Sequence, residues 1–192
     1  MDYSFLSSSK NILEVITKGA NDLGSLHPIV VHIPIALLLV SPLFIIIDLI
    51  FKKFSREFYF CSLALLAIGT LGIICSIVTG NAAGESIEPT SEILKTLDAH
   101  VRLAERIRLG FFLLTSTLTT YIVFMKTLLK KYHLKIHQIV IILYLLAYAY
   151  HLVLLFNTAH QGGKLVHHHG ITSSLYDHKT SKNTKTPDNL FP

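Results

Sequence analysis

The sequence predicts an all-α fold: a four-helix transmembrane bundle with a short N-terminal interfacial helix and an extended C-terminal tail. Two observations carry this. Of 192 residues, 51% are hydrophobic and only 15% are charged, and the mean hydropathy is +0.53, outside the usual mix of a soluble domain. Four apolar stretches, approximately Ile29 to Phe51, Phe58 to Thr79, Leu109 to Leu129 and Ile136 to Thr158, each reach the roughly 20 residues that cross a hydrocarbon layer. Backbone groups in lipid must be satisfied within the segment, which makes these spans helices.

Residues 1–26 read as a surface amphipathic segment. Ile12, Leu13, Ile16, Ala20 and Leu23 fall near one helical face, with Lys10, Asn11, Lys18 and Asn21 mostly elsewhere and Gly24 as the stop. There is no basic start followed by an apolar run and an Ala-x-Ala-like site, so no cleavable signal peptide is expected and the first span is the expected insertion signal. Residues 27–160 form the four-helix transmembrane domain. Residues 161–192 form an outward-facing motif and a polar tail; Thr172 to Pro192 is rich in Ser, Thr, Lys and Asn and reads as an extended surface suited to docking on a partner.

The first span carries three prolines. Pro28 suits a first helical turn, whereas Pro34 removes the bond to the Val30 carbonyl and loosens the turn that bears His32. Pro42 reads as an ordinary kink. In the second span Gly72, Ser76 and Gly80 follow small-x-x-x-small spacing and Gly69 widens the groove, which predicts close helix packing. Cys61 and Cys75 also lie there; they make neither a C-x-x-C pair nor a haem-attachment site, which excludes covalent c-type haem, and they read as small packing residues.

Lysine and arginine set the orientation. Lys52, Lys53 and Arg56 follow the first span, and Lys126, Lys130, Lys131 and Lys135 follow the third, so both loops are expected to face the cytoplasm and both termini the outside. The connection between spans two and three, on the outer side, interleaves Arg102, Arg106 and Arg108 with Asp98 and Glu105. The formal net charge of +5 reflects these flanks, and no nucleic-acid surface is present in the pattern.

Antiparallel helices bring the start of span one, the start of span three and the end of span four to one face. Seven of the 11 histidines gather there: His27, His32, His100, His160, His167, His168 and His169. Any one of them alone reads as an interfacial or capping residue. Together they point to a metal or cofactor, since imidazole is the commonest neutral metal ligand and bundles build such sites from facing helices. His27 and His32 lie roughly 140° apart around a regular helix, so only one of them can be a ligand to a given ion. His151 is alone near mid-membrane. Asp48, near the inner end of span one, reads as a boundary residue, or as a group for proton handling with a quinone.

Three motifs resemble those of a bacterial four-helix membrane family filed as a domain of unknown function (DUF2231). LHPIVVHIPIAL is similar to L-H-P-x-x-V-H-F-P-I-A-L, with Ile33 in place of Phe. HVRLA, His100 to Ala104, looks like that family's H-x-x-x-A. AHQGGKLVHHHG resembles GHLGGxLVYxHG, matching His160, Gly162, Gly163, Leu165, Val166, His169 and Gly170 and departing at Gln161 and His167, where the family commonly has Tyr. The resemblance runs from Leu26 to Ile171. It implies a four-helix membrane protein, and since some members are associated with cytochrome-like modules, it favours redox work. The matched histidines are His27, His32, His100, His160 and His169.

Three functions fit. The first is a b-type cytochrome-like electron-transfer subunit of a respiratory complex in a bacterial-type inner membrane, with one or two haem b groups at the outer end. Its expected axial ligands are His32 with His100 or His160, the other histidines act behind them, and Arg102, Arg106 and Arg108 pair with the propionates or form turn-spaced ion pairs. Its partners would be other membrane or periplasmic redox subunits such as a c-type cytochrome. The second is a non-haem copper, zinc or iron site on His32, His100 and His160. The third is a structural accessory subunit of a membrane assembly. G-x-S-x-G, phosphate loops and H-E-x-x-H are absent, so no independent catalytic reaction is expected.

Overall fold

The computed structural model describes residues 23–51, 56–85, 87, 90–131 and 134–171. The expected interfacial helix before Leu23 and the tail after Ile171 lie outside the described residues. A 3-10 turn, Leu23–Leu26, leads into α1 (His27–Val30), α2 (His32–Phe51), α3 (Arg56–Glu85), α4 (Ser91–Lys131) and α5 (Leu134–His167). The four long helices satisfy the length and apolarity needed to cross a membrane. Successive helices pack on each other, and α2 also meets α5 to close the ring.

Pro34 accounts for the interruption between α1 and α2: it has no N–H to give to Val30, and the regular helix breaks at Val31. Gly24, expected to stop a surface helix, serves a different purpose. Its φ is not positive, and a Cβ there would lie 2.7 Å from the backbone nitrogen of Ala83, so its role is close approach of the entry turn to the end of α3.

Each helix turns one stripe inward. On α2 it is Pro34, Leu38, Ser41, Ile45 and Asp48; on α3 it is Tyr59, Ser62, Leu66, Gly69, Thr70 and Ile73. Phe111, Leu114, Leu118 and Tyr121 from α4 meet Ile141, Tyr144 and Tyr148 from α5 in the same core. The opposite faces leave large apolar side chains such as Leu71, Phe112, Leu143, Leu146 and Phe156 exposed, as lipid-facing surfaces require.

The glycine stripe of α3 does what its spacing predicts. A Cβ on Gly69 would meet Leu38 at 2.8 Å and one on Gly72 would meet Pro34 at 3.0 Å, so α2 lies directly on that stripe. Cys61 and Cys75 do not share in it. Both are exposed on the outside of α3, which corrects their reading as packing residues: they fall on the lipid side of a helix whose inner face is already taken by Gly, Ser and Thr.

Polar side chains tie the helices where backbone or packing leaves an opening. Ser41 Oγ donates to the Ser62 carbonyl at 2.9 Å, and the hydroxyls of Thr70 and Thr115 are 3.0 Å apart across α3 and α4. Pro42 cannot donate to the Leu38 carbonyl four residues back; the Tyr148 hydroxyl of α5 donates to it instead, at 2.8 Å.

The helices overrun the apolar spans read from sequence, α4 most of all. It begins at Ser91, 18 residues before Leu109. Charge ends an apolar run but not a helix: Ile93, Leu97, His100, Ala104, Ile107 and Phe111 continue the inward stripe through the charged stretch.

Candidate functional site

Two polar levels cross the bundle. At one, His27, Thr79, His100 and Thr158 meet from α1, α3, α4 and α5. At the other, Asp48, Tyr59, Tyr121 and His137 meet from α2, α3, α4 and α5. The levels are separated by 21, 20, 21 and 21 residues along the four chain segments, about 30 Å at 1.5 Å per residue, the thickness of a hydrocarbon core.

At the first level His27 Nδ1–H donates to Thr79 Oγ1 at 3.1 Å. The Thr79 hydroxyl has its own acceptors in the carbonyls of Cys75 and Ser76, each at 3.1 Å, so it is free to accept from the ring. The His100 Nδ1 lies 3.0 Å from the Thr158 carbonyl. A carbonyl only accepts, so this Nδ1 carries the proton. Both rings therefore present Nε2 as a lone pair. They are half-buried, with centroids 6.5 Å apart and planes at 89°.

Glycines make the seats for these rings. A Cβ on Gly80 would fall 2.9 Å from the His27 ring, and one on Gly162 would fall 3.3 Å from the His100 ring. Among the described residues, nothing lies within 4 Å of a Cβ added at Gly84, one turn beyond Gly80 on α3, or at Gly163 on α5.

The other candidate residues stand apart from this pair. The His32 ring donates through Nδ1 to the Pro28 carbonyl of its own turn and is exposed. His160 is exposed as well. His169 joins the head of α4 to the end of α5, with its Nε2 3.1 Å from Thr96 Oγ1, beside an open cleft of about 370 Å³ lined by Glu92, Lys95, Thr96, Lys164, His168 and His169. The chain leaves α5 through Gly170, whose φ is +69°. Among the described residues no three His, Cys, Asp or Glu side chains gather as a metal set, so His32, His100 and His160 do not converge.

Arg102 pairs with Asp98 at 2.7 Å, and Arg108 pairs with Glu105. Both pairs are exposed and turn-spaced. Arg102 and Arg106 follow His100 by two and six residues, roughly 200° and 240° around the helix, so they leave α4 on the side away from the histidine pair.

Two features were not found by spacing. The first is that His27, and not His32, meets His100; the small-residue stripe ending at Gly80 is the signal that locates its seat. The second is His151. Its Nδ1–H donates to the Ala147 carbonyl at 2.8 Å, and its ring presses on Gly110 so closely that a Cβ there would lie 1.9 Å away. Gly110, a glycine inside an apolar helix, was the available sign.

The second polar level is closed. Asp48 and Tyr59 are both 0% exposed, with the Tyr59 hydroxyl facing the Asp48 carboxyl. The Tyr59 and Tyr121 rings are 5.4 Å apart, and the Tyr121 hydroxyl lies 2.5 Å from His137 Nδ1. Asp48 is thus part of a buried cluster to which every long helix contributes one side chain, where a boundary residue would face water.

Residues 24–175 match the family described as predicted membrane protein (DUF2231). No curated protein and no solved structure matches the chain. The match covers most of the sequence, and the chain belongs to that family of membrane proteins.

Proposed function

We propose that this family member is a membrane-embedded, b-type cytochrome-like electron-transfer subunit in which His27 and His100 hold one haem b. The observation that carries the reading is the pair itself. Two imidazoles from different helices have Nδ1–H already engaged, by Thr79 and by the Thr158 carbonyl, and Nε2 available. Ligating histidines are ordinarily oriented in this way by a partner on the other ring nitrogen.

His27 and His100, with ring centroids 6.5 Å apart, would hold the group between them and supply its imidazole ligands. Among the described residues, nothing crowds Gly84, one turn beyond the seat of the His27 ring. Bound there, the haem would supply one-electron transfer. The basic loops after the first and third spans support an orientation with the histidine end on the outer face of a bacterial-type inner membrane, where a c-type cytochrome or another redox subunit would be the partner.

The same bonds favour a second reading. His27 to Thr79 ties α1 to α3 and His100 to Thr158 ties α4 to α5, so the histidines would equally serve as polar links in a structural subunit.

The dithionite-reduced minus oxidised spectrum of the purified protein decides. Bands of b-type haem are expected, lost in His27→Ala and His100→Ala and kept in His32→Ala and His160→Ala. A protein with no haem overturns the reading. Stoichiometric copper, zinc or iron would replace it with a non-haem site, and a metal-free protein whose histidine variants fail only in assembly would leave the structural role.

A further inference from the structure

The charges of α4 divide into two groups. Asp98 with Arg102 and Glu105 with Arg108 satisfy one another along the helix. Glu92 and Lys95, nearer its start, instead line the open cleft of about 370 Å³ together with Thr96, Lys164, His168 and His169. Among the described residues, Glu92, Lys95 and Lys164 take part in no ion pair. Two positive charges and one negative therefore border the same space without meeting. Its volume lies within the range of small-molecule sites, about 300–1,000 Å³.

Hydrogen bonds fix the walls of this cleft. The Thr96 hydroxyl donates to the Glu92 carbonyl at 3.2 Å, so it accepts from His169 Nε2–H at 3.1 Å and joins α4 to the end of α5. The Lys164 carbonyl receives the N–H groups of His168 and His169, at 2.9 and 3.1 Å, and Ile171 N–H closes on the Leu165 carbonyl at 3.0 Å. The His168 ring stands against that of His169 with centroids 4.7 Å apart, and an imidazole always keeps at least one N–H to donate. Glu92, His168 and His169 are not placed to share a metal ion.

We infer that this cleft binds a phosphate ester carrying a primary ammonium group, the chemistry of a phosphoethanolamine headgroup. Lys95 and Lys164, one from each helix, take the phosphate oxygens by charge-assisted hydrogen bonds, with His168 as a further donor. The Glu92 carboxylate takes the ammonium. That acid selects the ligand: a bare anion would be repelled by it, and a trimethylated ammonium has no N–H to give it. A membrane lipid and the free headgroup in solution both present this group. The site is independent of what His27 and His100 hold.

The test is calorimetric titration of the purified full chain, in lipid-free detergent micelles, with short-chain phosphatidylethanolamine, phosphatidylcholine and phosphatidylglycerol, and with free phosphoethanolamine. Phosphatidylethanolamine is expected to bind about tenfold more tightly than the other two lipids, the contribution of one charge-assisted hydrogen bond. Lys95→Ala and Lys164→Ala should each weaken it by about tenfold, and Arg102→Ala, outside the cleft, should leave it unchanged. Glu92→Gln should bring phosphatidylglycerol level with phosphatidylethanolamine, a gain of affinity that misfolding cannot produce. Free phosphoethanolamine binding as tightly as the lipid would assign a soluble source, and binding of the lipid alone a membrane one. Equal affinity for the three lipids, no binding of any of the four compounds, or lysine variants that bind like the native chain would overturn the proposal. Glu92, Lys95 and Lys164 are all exposed, so replacing them leaves the packed core intact.

Discussion

The two polar levels of the bundle are built from similar side chains and end up opposite in character. At the histidine level each ring rests on a glycine, is half-buried, and is held by one nitrogen while the other is left available. At the Asp48 level aromatic rings fill the space. Tyr59 packs on Tyr121, Tyr121 bonds His137, and Asp48 is enclosed. The lesson is that a polar layer is left accessible or sealed according to what surrounds it. Glycine makes room for an imidazole and leaves one of its nitrogens unengaged, whereas tyrosine supplies both bulk and a hydrogen bond.

Substitutions can break or sharpen this contrast. The largest loss of stability is expected from Tyr121→Ala, which empties the closed level and strips His137 of its bond, at about 3–5 kcal/mol by analogy with large aromatic truncations; reversible unfolding in mixed micelles measures it, and the haem bands should persist in the folded fraction. Gly110→Val comes next. Its side chain would collide with the His151 ring, and overpacking of this kind costs about 1–3 kcal/mol, read in the same unfolding assay. Tyr148→Phe should cost about 1 kcal/mol by orphaning the Leu38 carbonyl. In a Pro42→Ala background that loss should shrink toward zero, because the helix then satisfies the carbonyl itself; an unchanged loss would show that the hydroxyl acts elsewhere. Thr79→Val is the smallest in stability, on the order of 0.6 kcal/mol. It frees the His27 ring, so a displaced or broadened haem band with nearly unchanged stability is the expected signature.

Much of the fold could be read directly. The spans, the break before Pro34, and the seating of α2 on Gly69 and Gly72 follow from composition, from a missing N–H, and from small-residue spacing. The gathering of histidines at one end followed from antiparallel order alone. Which of them touch did not, because pairing depends on the register between helices, and periodicity within one helix says nothing of it. His27 meets His100 because α1 lies against Gly80 and α4 lies against α5 at Thr158. The charged head of α4 was hidden for a related reason: hydropathy reports where lipid is welcome, and it does not report where the backbone keeps turning. Asp48 looked like a boundary residue by its position along the chain, and only the neighbouring tyrosines reveal that it points inward.

The bond from Tyr148 to the Leu38 carbonyl has a consequence for biosynthesis. Pro42 leaves that carbonyl without its usual donor as soon as the first membrane helix is made, and the donor sits 110 residues later, on the last helix. Until α5 enters the bilayer the nascent chain carries an exposed polar group in the middle of its first span. A chain that stops short of Tyr148 therefore lacks the side-chain donor that this carbonyl has in the complete bundle.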